Sequence, residues 1–60
     1  MSLGERLLKY KKESRTTYRE LAAELGEGFE LVYNFCNDRL IRMLPHTALK
    51  IDTYLKQKGY

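Results

Sequence analysis

The amino-acid sequence predicts an all-α domain built from four short helices. In three stretches the apolar residues recur at spacings of three and four, which is the period of a helix with one buried face. Two pairs of residues, Ser2 with Glu5 and Thr17 with Glu20, have the spacing of a capping box, which begins a helix. No stretch of strand length alternates apolar and polar residues between turn signals, and no internal repeat is visible.

Length and composition favour one small folded domain over residues 1–60. A chain of 60 residues buries only about 60% of its unfolded surface, so we expect a narrow margin of stability and no deep catalytic cleft. Hydrophobic residues at 43% and charged residues at 32% are typical of a globular chain, and a single cysteine excludes an internal disulfide. Because no run of about 18 apolar residues and no secretory signal is present, we expect a cytoplasmic protein. The net charge of +3 mildly favours a polyanionic partner.

The first helix is predicted over residues 3–13, beginning after Ser2. Its apolar stripe consists of Leu3, Leu7 and Tyr10, with Leu8 beside it, and the opposite side carries Glu5, Lys9, Lys12 and Glu13. Residues 14–16 form a polar link that is too short to let the second helix lie far from the first. The two helices are therefore expected to cross closely.

Residues 17–35 hold the stretch around which the chain is organised, because they predict two helices joined by a glycine turn. Gly26 provides the left-handed conformation that ends a helix, and Gly28 lets the next helix begin at a steep angle. That second helix is predicted over residues 29–37. The inward faces consist of Tyr18, Leu21, Ala22 and Leu25 in the first helix and of Val32 and Phe35 in the second. Two helices so connected have the layout of a helix-turn-helix.

The last third of the chain predicts a turn, an apolar segment and a closing helix. Asn37 and Asp38 tolerate a positive φ and are expected to end the third helix with a left-handed stop. Residues 39–44 (RLIRML) are too apolar for a solvated loop, so we predict one further helical turn folded onto the core. Pro45 suits the first turn of the fourth helix, with Thr47 as a competing cap.

The fourth helix is predicted to extend to about Lys56 and to close the bundle. Its inward side consists of Leu44, Ala48, Ile51 and Leu55, with Tyr54 alongside. Residues 57–60 are expected to fray. His46 is interpreted as a surface residue near the cap, and Cys36 as a small apolar residue in or beside the core.

The order of these residues resembles the lambda-repressor-like helix-turn-helix family, the small phage repressors and Xre-type regulators. In that family the motif has a small residue fifth, glycine ninth, and aliphatic or aromatic core residues fifteenth and eighteenth. Counted from Tyr18, those places hold Ala22, Gly26, Val32 and Phe35. The resemblance covers nearly the whole chain, and the motif occupies about residues 17–37.

The resemblance implies sequence-specific binding of double-stranded DNA by a transcriptional regulator of repressor type, with the second helix of the motif in the major groove. Carried over by position, the expected contacts to base edges are Phe29, Glu30 and Asn34, and those to phosphates are Thr17, Tyr18, Asn37 and Arg39, with Arg42 near the backbone. We add Tyr33 to the base contacts, with a phosphate contact as its alternative. We add Arg19 to the backbone contacts, because it flanks the groove-facing helix where such contacts concentrate. No cofactor or metal is implied, and a nucleoid location follows.

The side chains on the predicted recognition helix have usable chemistry for base edges. Asn34 can pair with adenine, Glu30 can accept from cytosine N4, and Phe29 can pack on a thymine methyl group. Three departures from the family pattern stand out. Phe29, Leu31 and Tyr33 make this helix more apolar than usual, Glu27 replaces an aliphatic residue, and Lys11 with Cys36 occupies places that often hold an arginine and a glutamate in a buried ion pair.

Several residues have a second interpretation that the sequence leaves open. Phe29 is equally consistent with a packing contact or a dimer surface, and Tyr33 with a half-buried ring. The lysines of the first helix could bind phosphate, but such a run of charges is usually a solvated face. The rival class for the whole chain is a small helical protein-interaction module that does not bind DNA. An enzyme is not expected, since no nucleophile with a base, no phosphate loop and no carboxylate dyad is recognisable.

Useful sequence specificity from so small a domain normally requires two copies on a two-fold DNA site. We therefore predict a homodimer, at least on DNA. The candidate interface is the apolar surplus formed by Leu40, Ile41, Met43, Leu49 and Tyr60.

Overall fold

The computed structural model describes residues 1–37 and 43–60, and within these ranges the chain is all-helical with no strand. Its helices are α1 (Leu3–Ser14), α2 (Tyr18–Leu25), α3 (Phe29–Cys36) and α4 (Pro45–Gln57). The all-α class and the four predicted helices are confirmed, and each predicted boundary is correct to within about one residue. The predicted turn at 39–44 lies mostly outside the described residues, and Met43 and Leu44 are not helical.

Both predicted capping boxes are present. The Ser2 hydroxyl accepts from the Glu5 amide at 3.2 Å, and the Glu5 carboxylate accepts from the Ser2 amide at 3.1 Å. At α2 the corresponding distances between Thr17 and Glu20 are 3.1 and 3.2 Å. The hydrogen bonds from Ser2 hold the pKa of the Glu5 carboxyl below its ordinary value, because they favour the ionised form. These boxes fix where α1 and α2 begin.

Helix α2 ends at Gly26, as predicted. Gly26 has a φ of 70°, and the Glu27 amide donates back to the Ala22 carbonyl at 3.0 Å, which ends α2 and turns the chain towards α3. Arg15 ends α1 in the same way with a φ of 56°. A left-handed conformation costs an L-residue about 1–2 kcal/mol, so α1 ends at a strained position.

The core is formed by side chains from all four helices. The buried hydrophobic residues are Leu7, Leu21, Ala22, Leu25, Val32, Cys36, Ile51 and Leu55. Phe35, predicted to face inward, is half-buried against this core. Gly4 allows α1 to approach α3 closely, because a Cβ at this position would lie 2.7 Å from the Phe35 carbonyl oxygen. This role of Gly4 was not predicted.

Near the helix ends one prediction is wrong, one alternative is excluded, and one prediction is tested only in part. Leu44 was expected to face inward, but it precedes α4 as the N-cap residue and is 62% exposed. Thr47 is buried inside α4 rather than capping it, because Pro45 already begins the helix. Asn37 ends α3 with a φ of −100°, which is not left-handed, and Asp38 lies outside the described residues.

The predicted fraying of residues 57–60 is also wrong. The Tyr60 amide donates to the Leu55 carbonyl at 2.8 Å, and Gly59 takes a φ of 86°, so the chain turns back after α4. Arg6 on α1 fixes the turn, since its Nε donates to the Tyr60 main-chain oxygen at 2.9 Å and its Nη1 to Asp52 at 2.7 Å. These contacts join the last residues to α1.

Candidate nucleic-acid interface

The outward face of α3 carries all four predicted base contacts. Phe29 is 46% exposed and Tyr33 39% exposed. Glu30 is exposed and Asn34 is partly exposed, while Val32 and Cys36 point into the core. The predicted presentation of this face to solvent is therefore confirmed. With 8 residues, α3 is about 12 Å long, at 1.5 Å per residue.

Three aromatic rings from α2 and α3 form what we call the open aromatic cluster: Tyr18, Phe29 and Tyr33. The rings of Phe29 and Tyr33 are nearly parallel, with an interplanar angle of 18° and centroids 6.0 Å apart. Tyr18 meets both rings edge-on, at 6.1 Å from Phe29 and 5.1 Å from Tyr33. Edge-on and offset-stacked contacts are the favoured aromatic geometries, so the three rings hold one another in place.

Two further side chains are arranged around Tyr18. The Lys11 ammonium lies 4.3 Å from the centre of the Tyr18 ring, a cation–π contact. The Asn37 side-chain amide donates to the Tyr18 hydroxyl at 3.1 Å and to the Tyr33 carbonyl at 2.8 Å. Among residues 1–37 and 43–60, the Tyr18 hydroxyl accepts from Asn37 and donates to no acceptor, so in this part of the chain its hydrogen has no partner.

This geometry changes the interpretation of Asn37 and Thr17, both predicted to contact phosphate. The Asn37 amide directs its donors to Tyr18 and Tyr33, so its role in the described structure is to position them. The Thr17 hydroxyl donates to the Glu20 carboxylate at 2.9 Å within the capping box. Arg19, by contrast, is exposed in the first turn of α2. Arg39 and Arg42 lie outside the described residues.

The departures from the family pattern have local explanations. Glu27 forms an ion pair with Lys50, which links the start of α3 to α4 where an aliphatic contact was expected. Cys36 is buried, and this desolvation raises the pKa of its thiol to about 11, although the nearby Lys11 charge acts in the opposite direction. With a neutral thiol at Cys36, Lys11 contacts the Tyr18 ring instead of a buried carboxylate.

A second set of rings joins α1 to α4 and to the C-terminal residues, and we call it the closed aromatic cluster: Tyr10, Tyr54 and Tyr60. Tyr10 meets the other two rings edge-on, at 5.6 and 5.3 Å. The Tyr54 hydroxyl donates to Glu24 at 2.6 Å, and the Tyr60 hydroxyl donates to Glu13. Burial and the hydrogen bond to Glu24 raise the pKa of Tyr54 far above its usual range. The sequence did not indicate this cluster, because its members are far apart in the chain.

The remaining surfaces offer less chemistry. A shallow groove on α4 is lined by His46, Leu49, Lys50, Thr53, Tyr54 and Gln57. Over residues 1–37 and 43–60, no group of histidine, cysteine, aspartate and glutamate side chains is arranged to hold a metal ion. No helix in the same ranges has the length and apolar character needed to cross a membrane.

Comparisons of the chain with protein-family models, with curated proteins and with solved structures found no match. The function is therefore inferred from the residues and their geometry.

Proposed function

We propose that this chain binds double-stranded DNA sequence-specifically, as a cytoplasmic, nucleoid-associated transcriptional regulator of the lambda-repressor-like helix-turn-helix class, without catalytic activity or cofactor. In this proposal α2, the turn at Gly26 and α3 form the motif, and α3 enters the major groove. The observation that carries it is the outward face of α3, which presents amide, carboxylate and aromatic side chains to solvent beside Tyr18, whose ring lies under the Lys11 ammonium.

The size and chemistry of α3 suit the major groove. The groove is about 12 Å wide and admits one helix. Glu30 and Asn34 lie four residues apart on the outward face, so they are neighbours on the helix surface and reach adjacent base edges. Asn34 would pair with adenine, and Glu30 would accept from cytosine N4.

Contacts to phosphate would come from side chains around the N-terminus of α2. The Tyr18 hydroxyl accepts from Asn37 and has no acceptor among the described residues, so it would donate to a phosphate. Lys11 and Arg19 would add positive charge on either side of Tyr18 along the chain. Arg39 and Arg42 remain predicted backbone contacts, and Thr17 would contribute only if its hydroxyl left Glu20.

The proposal is tested by titrating a fluorescent duplex, selected from a random library, at 50 and 200 mM salt. Neutralising four phosphates should lower the affinity roughly 100-fold over this range, through counterion release. Asn34→Ala should weaken binding to the selected duplex while leaving binding to unrelated duplexes unchanged. Failure to bind any duplex at the lower salt concentration would refute the proposal.

A matched pair of charge substitutions tests whether DNA binds at the proposed interface and not elsewhere on the protein. Arg19→Gln removes a positive charge from α2, next in sequence to Tyr18. Lys9→Gln removes a positive charge from the side of α1 opposite its apolar stripe. We expect Arg19→Gln to reduce affinity and the steepness of the salt dependence, and Lys9→Gln to change both much less. Equal effects of the two substitutions would indicate a general charge effect.

The exposed rings of Phe29 and Tyr33 favour a second candidate function, a protein-interaction module that uses the same face. Large apolar side chains grouped on a surface are common at protein interfaces. Binding through this face to a protein partner would depend weakly on salt, which distinguishes it from DNA binding.

We also propose a homodimer, at least on DNA. Of the predicted apolar surface, Met43 and Tyr60 pack against the core, whereas Leu49 is 65% exposed. Leu40 and Ile41 lie outside the described residues. Sedimentation with and without a two-fold duplex should detect two copies, and Leu49→Glu should weaken their association; a strict monomer in both conditions would contradict the dimer.

A further inference from the structure

We infer that the open aromatic cluster, together with positive charges close to it in the chain, binds single-stranded nucleic acid by stacking on unpaired bases, whatever their sequence. This is a second binding activity, separate from the proposed readout of duplex DNA, and it does not depend on that readout. The observations that carry it are the offset of the exposed rings and the charges on either side of Tyr18.

The rings of Phe29 and Tyr33 keep part of their faces uncovered. Their planes differ by only 18°, but their centroids are 6.0 Å apart. Atoms in van der Waals contact are about 3.5–4.0 Å apart, so the two nearly parallel rings are offset and cover each other only in part. This agrees with their exposed fractions of 46% and 39%. Every base has a π-face that can stack on an aromatic ring left open in this way.

The spacing of these two rings suits unpaired bases. Successive bases along a duplex strand rise by about 3.4 Å and cover one another's faces, so a duplex offers a protein only the edges of its bases. Two rings whose centroids are 6.0 Å apart would each receive one base of an extended strand whose bases no longer stack on one another. A single strand is therefore the form of nucleic acid that uses the ring faces.

Tyr18 prepares the two rings for such a contact. It meets Phe29 and Tyr33 edge-on from α2, at 6.1 and 5.1 Å, and is itself held by Lys11 and by the Asn37 amide. Because the three rings hold one another in place, less side-chain freedom is lost when a base stacks on them.

Four positive charges lie within the stretch of chain that runs from the last turn of α1 to the first turn of α2. We call them the basic segment: Lys11, Lys12, Arg15 and Arg19. Lys11 lies over the Tyr18 ring, and the other three side chains are exposed. Within residues 1–37 and 43–60 none of the four forms an ion pair with an acidic side chain, so they would bind the phosphates of the strand.

The one acidic residue near the exposed rings helps to orient the strand. Glu30 is exposed and lies between Phe29 and Tyr33 in the chain, so it would repel a phosphate brought close to the rings. The charges thus favour an arrangement in which the sugar–phosphate backbone follows the basic segment and the bases turn towards the rings.

The test compares a labelled oligothymidine of roughly ten nucleotides with an abasic strand of the same length, which keeps the phosphates and lacks every base. At 50 mM salt the protein should bind the thymidine strand at least about fivefold more tightly, which is the lower limit for stacking of one base. This preference should disappear in a variant with both Phe29→Ala and Tyr33→Ala. It should persist in Tyr33→Phe, which keeps the ring and removes only the hydroxyl.

Two further measurements locate the contact. The chain contains no tryptophan, so Phe29→Trp introduces a unique fluorophore, which the thymidine strand should quench and the abasic strand should not. Arg15→Gln should weaken binding to both strands by the same factor and reduce the salt slope by about 0.7, because it removes one phosphate contact and no stacking. An oligouridine of the same length shows whether DNA or RNA is bound more tightly, and stacking predicts that both bind.

The outcomes separate this inference from the proposed function. Equal affinities of the unaltered protein for the thymidine and abasic strands, a preference that persists without both rings, or no binding to any single strand would overturn the inference and leave duplex binding intact. Binding to single strands but to no duplex would refute the proposed function alone. Because both rings are exposed, their truncation should leave the fold in place, which circular dichroism with thermal melting checks.

Discussion

The molecule contains two clusters of three aromatic rings, and they differ in what their polar groups contact. In the closed cluster the hydroxyls of Tyr54 and Tyr60 donate to carboxylates of the same chain. In the open cluster Phe29 has no polar group, Tyr33 faces solvent, and Tyr18 accepts a hydrogen bond from Asn37 without donating to any of the described residues. The same residue types thus serve packing in one place and present a surface in the other.

The two clusters also differ in the parts of the chain that they contact. The closed cluster lies beside the Arg6–Asp52 ion pair and the docked C-terminal residues, which join α1 to α4. The open cluster bridges α2 and α3. Each cluster has a lysine over one ring, Lys11 over Tyr18 and Lys58 over Tyr54, so this feature does not distinguish them. We therefore expect substitutions in the closed cluster to affect stability and those in the open cluster to affect binding.

The largest expected effect is that of Tyr54→Ala. It removes a half-buried ring and the hydrogen bond to Glu24, and should lower the free energy of unfolding by about 2–4 kcal/mol. A 60-residue chain has only about 3–9 kcal/mol in total. Phe29→Ala, the matched truncation in the open cluster, should cost about 1 kcal/mol or less. Urea unfolding measures both, and equal losses would remove the distinction between the clusters.

Gly4→Ala tests how firmly the side of α3 opposite the open cluster is fixed. Alanine normally favours a helix over glycine, but here the new methyl would lie 2.7 Å from the Phe35 carbonyl oxygen. We expect a loss of about 1–3 kcal/mol, because the helices must separate. Gly28→Ala is the comparison at an uncrowded position, since nothing lies within 4 Å of its Cβ; its one expected cost, about 0.5–1 kcal/mol, is that alanine is a poorer N-cap than glycine. A stabilising Gly4→Ala would show that α1 and α3 are not in close contact.

Gly28→Ser should stabilise the first turn of α3, which carries Phe29 of the open cluster. Gly28 is the N-cap residue, has an extended backbone with φ −73° and ψ 150°, and makes no side-chain cap hydrogen bond. A serine there can cap α3 and restricts the unfolded chain, so stability should rise by about 0.5–1 kcal/mol. Thermal unfolding measures the gain. A decrease would mean that α3 begins elsewhere.

The smallest expected effect concerns acid. The Arg6 guanidinium, and then Lys56, hold the pKa of Asp52 below its ordinary value. The stability from these pairs is therefore present above about pH 4, the unfolded value, and is lost as the pH falls through the folded pKa. The loss should be small because the groups are partly exposed. Urea unfolding from pH 6 to pH 2 should show a shallower decline for Asp52→Asn, and an unchanged decline would contradict the pairing.

The sequence predicted what local spacing determines and missed what distant residues determine. Both capping boxes, the break at Gly26 and the outward face of α3 follow from residues within a few positions of one another. The docking of Tyr60 depends on Arg6, which is 54 residues away in the chain, so no periodicity reveals it. Likewise, the approach of Gly4 to Phe35 is a property of packing and cannot be read from helix propensity.

In the candidate site, too, features that depend on local spacing could be predicted, and features that depend on packing could not. The exposure of Glu30 could be predicted, because it follows from its position on the helix, whereas the sequence left open whether Phe29 and Tyr33 pack or face solvent. The turn of Asn37 towards Tyr18 could not, since it depends on how α2 and α3 pack.

We propose that the open face of α3 binds duplex DNA while the closed cluster does not. The most direct measurement is a titration of ¹⁵N-labelled protein with a selected duplex, followed by amide chemical shifts. We predict large shifts at Tyr18 and throughout residues 29–37, and small ones at Tyr54 and Tyr60. Shifts centred on the α4 groove or on the closed cluster, or no shifts at all, would contradict the account.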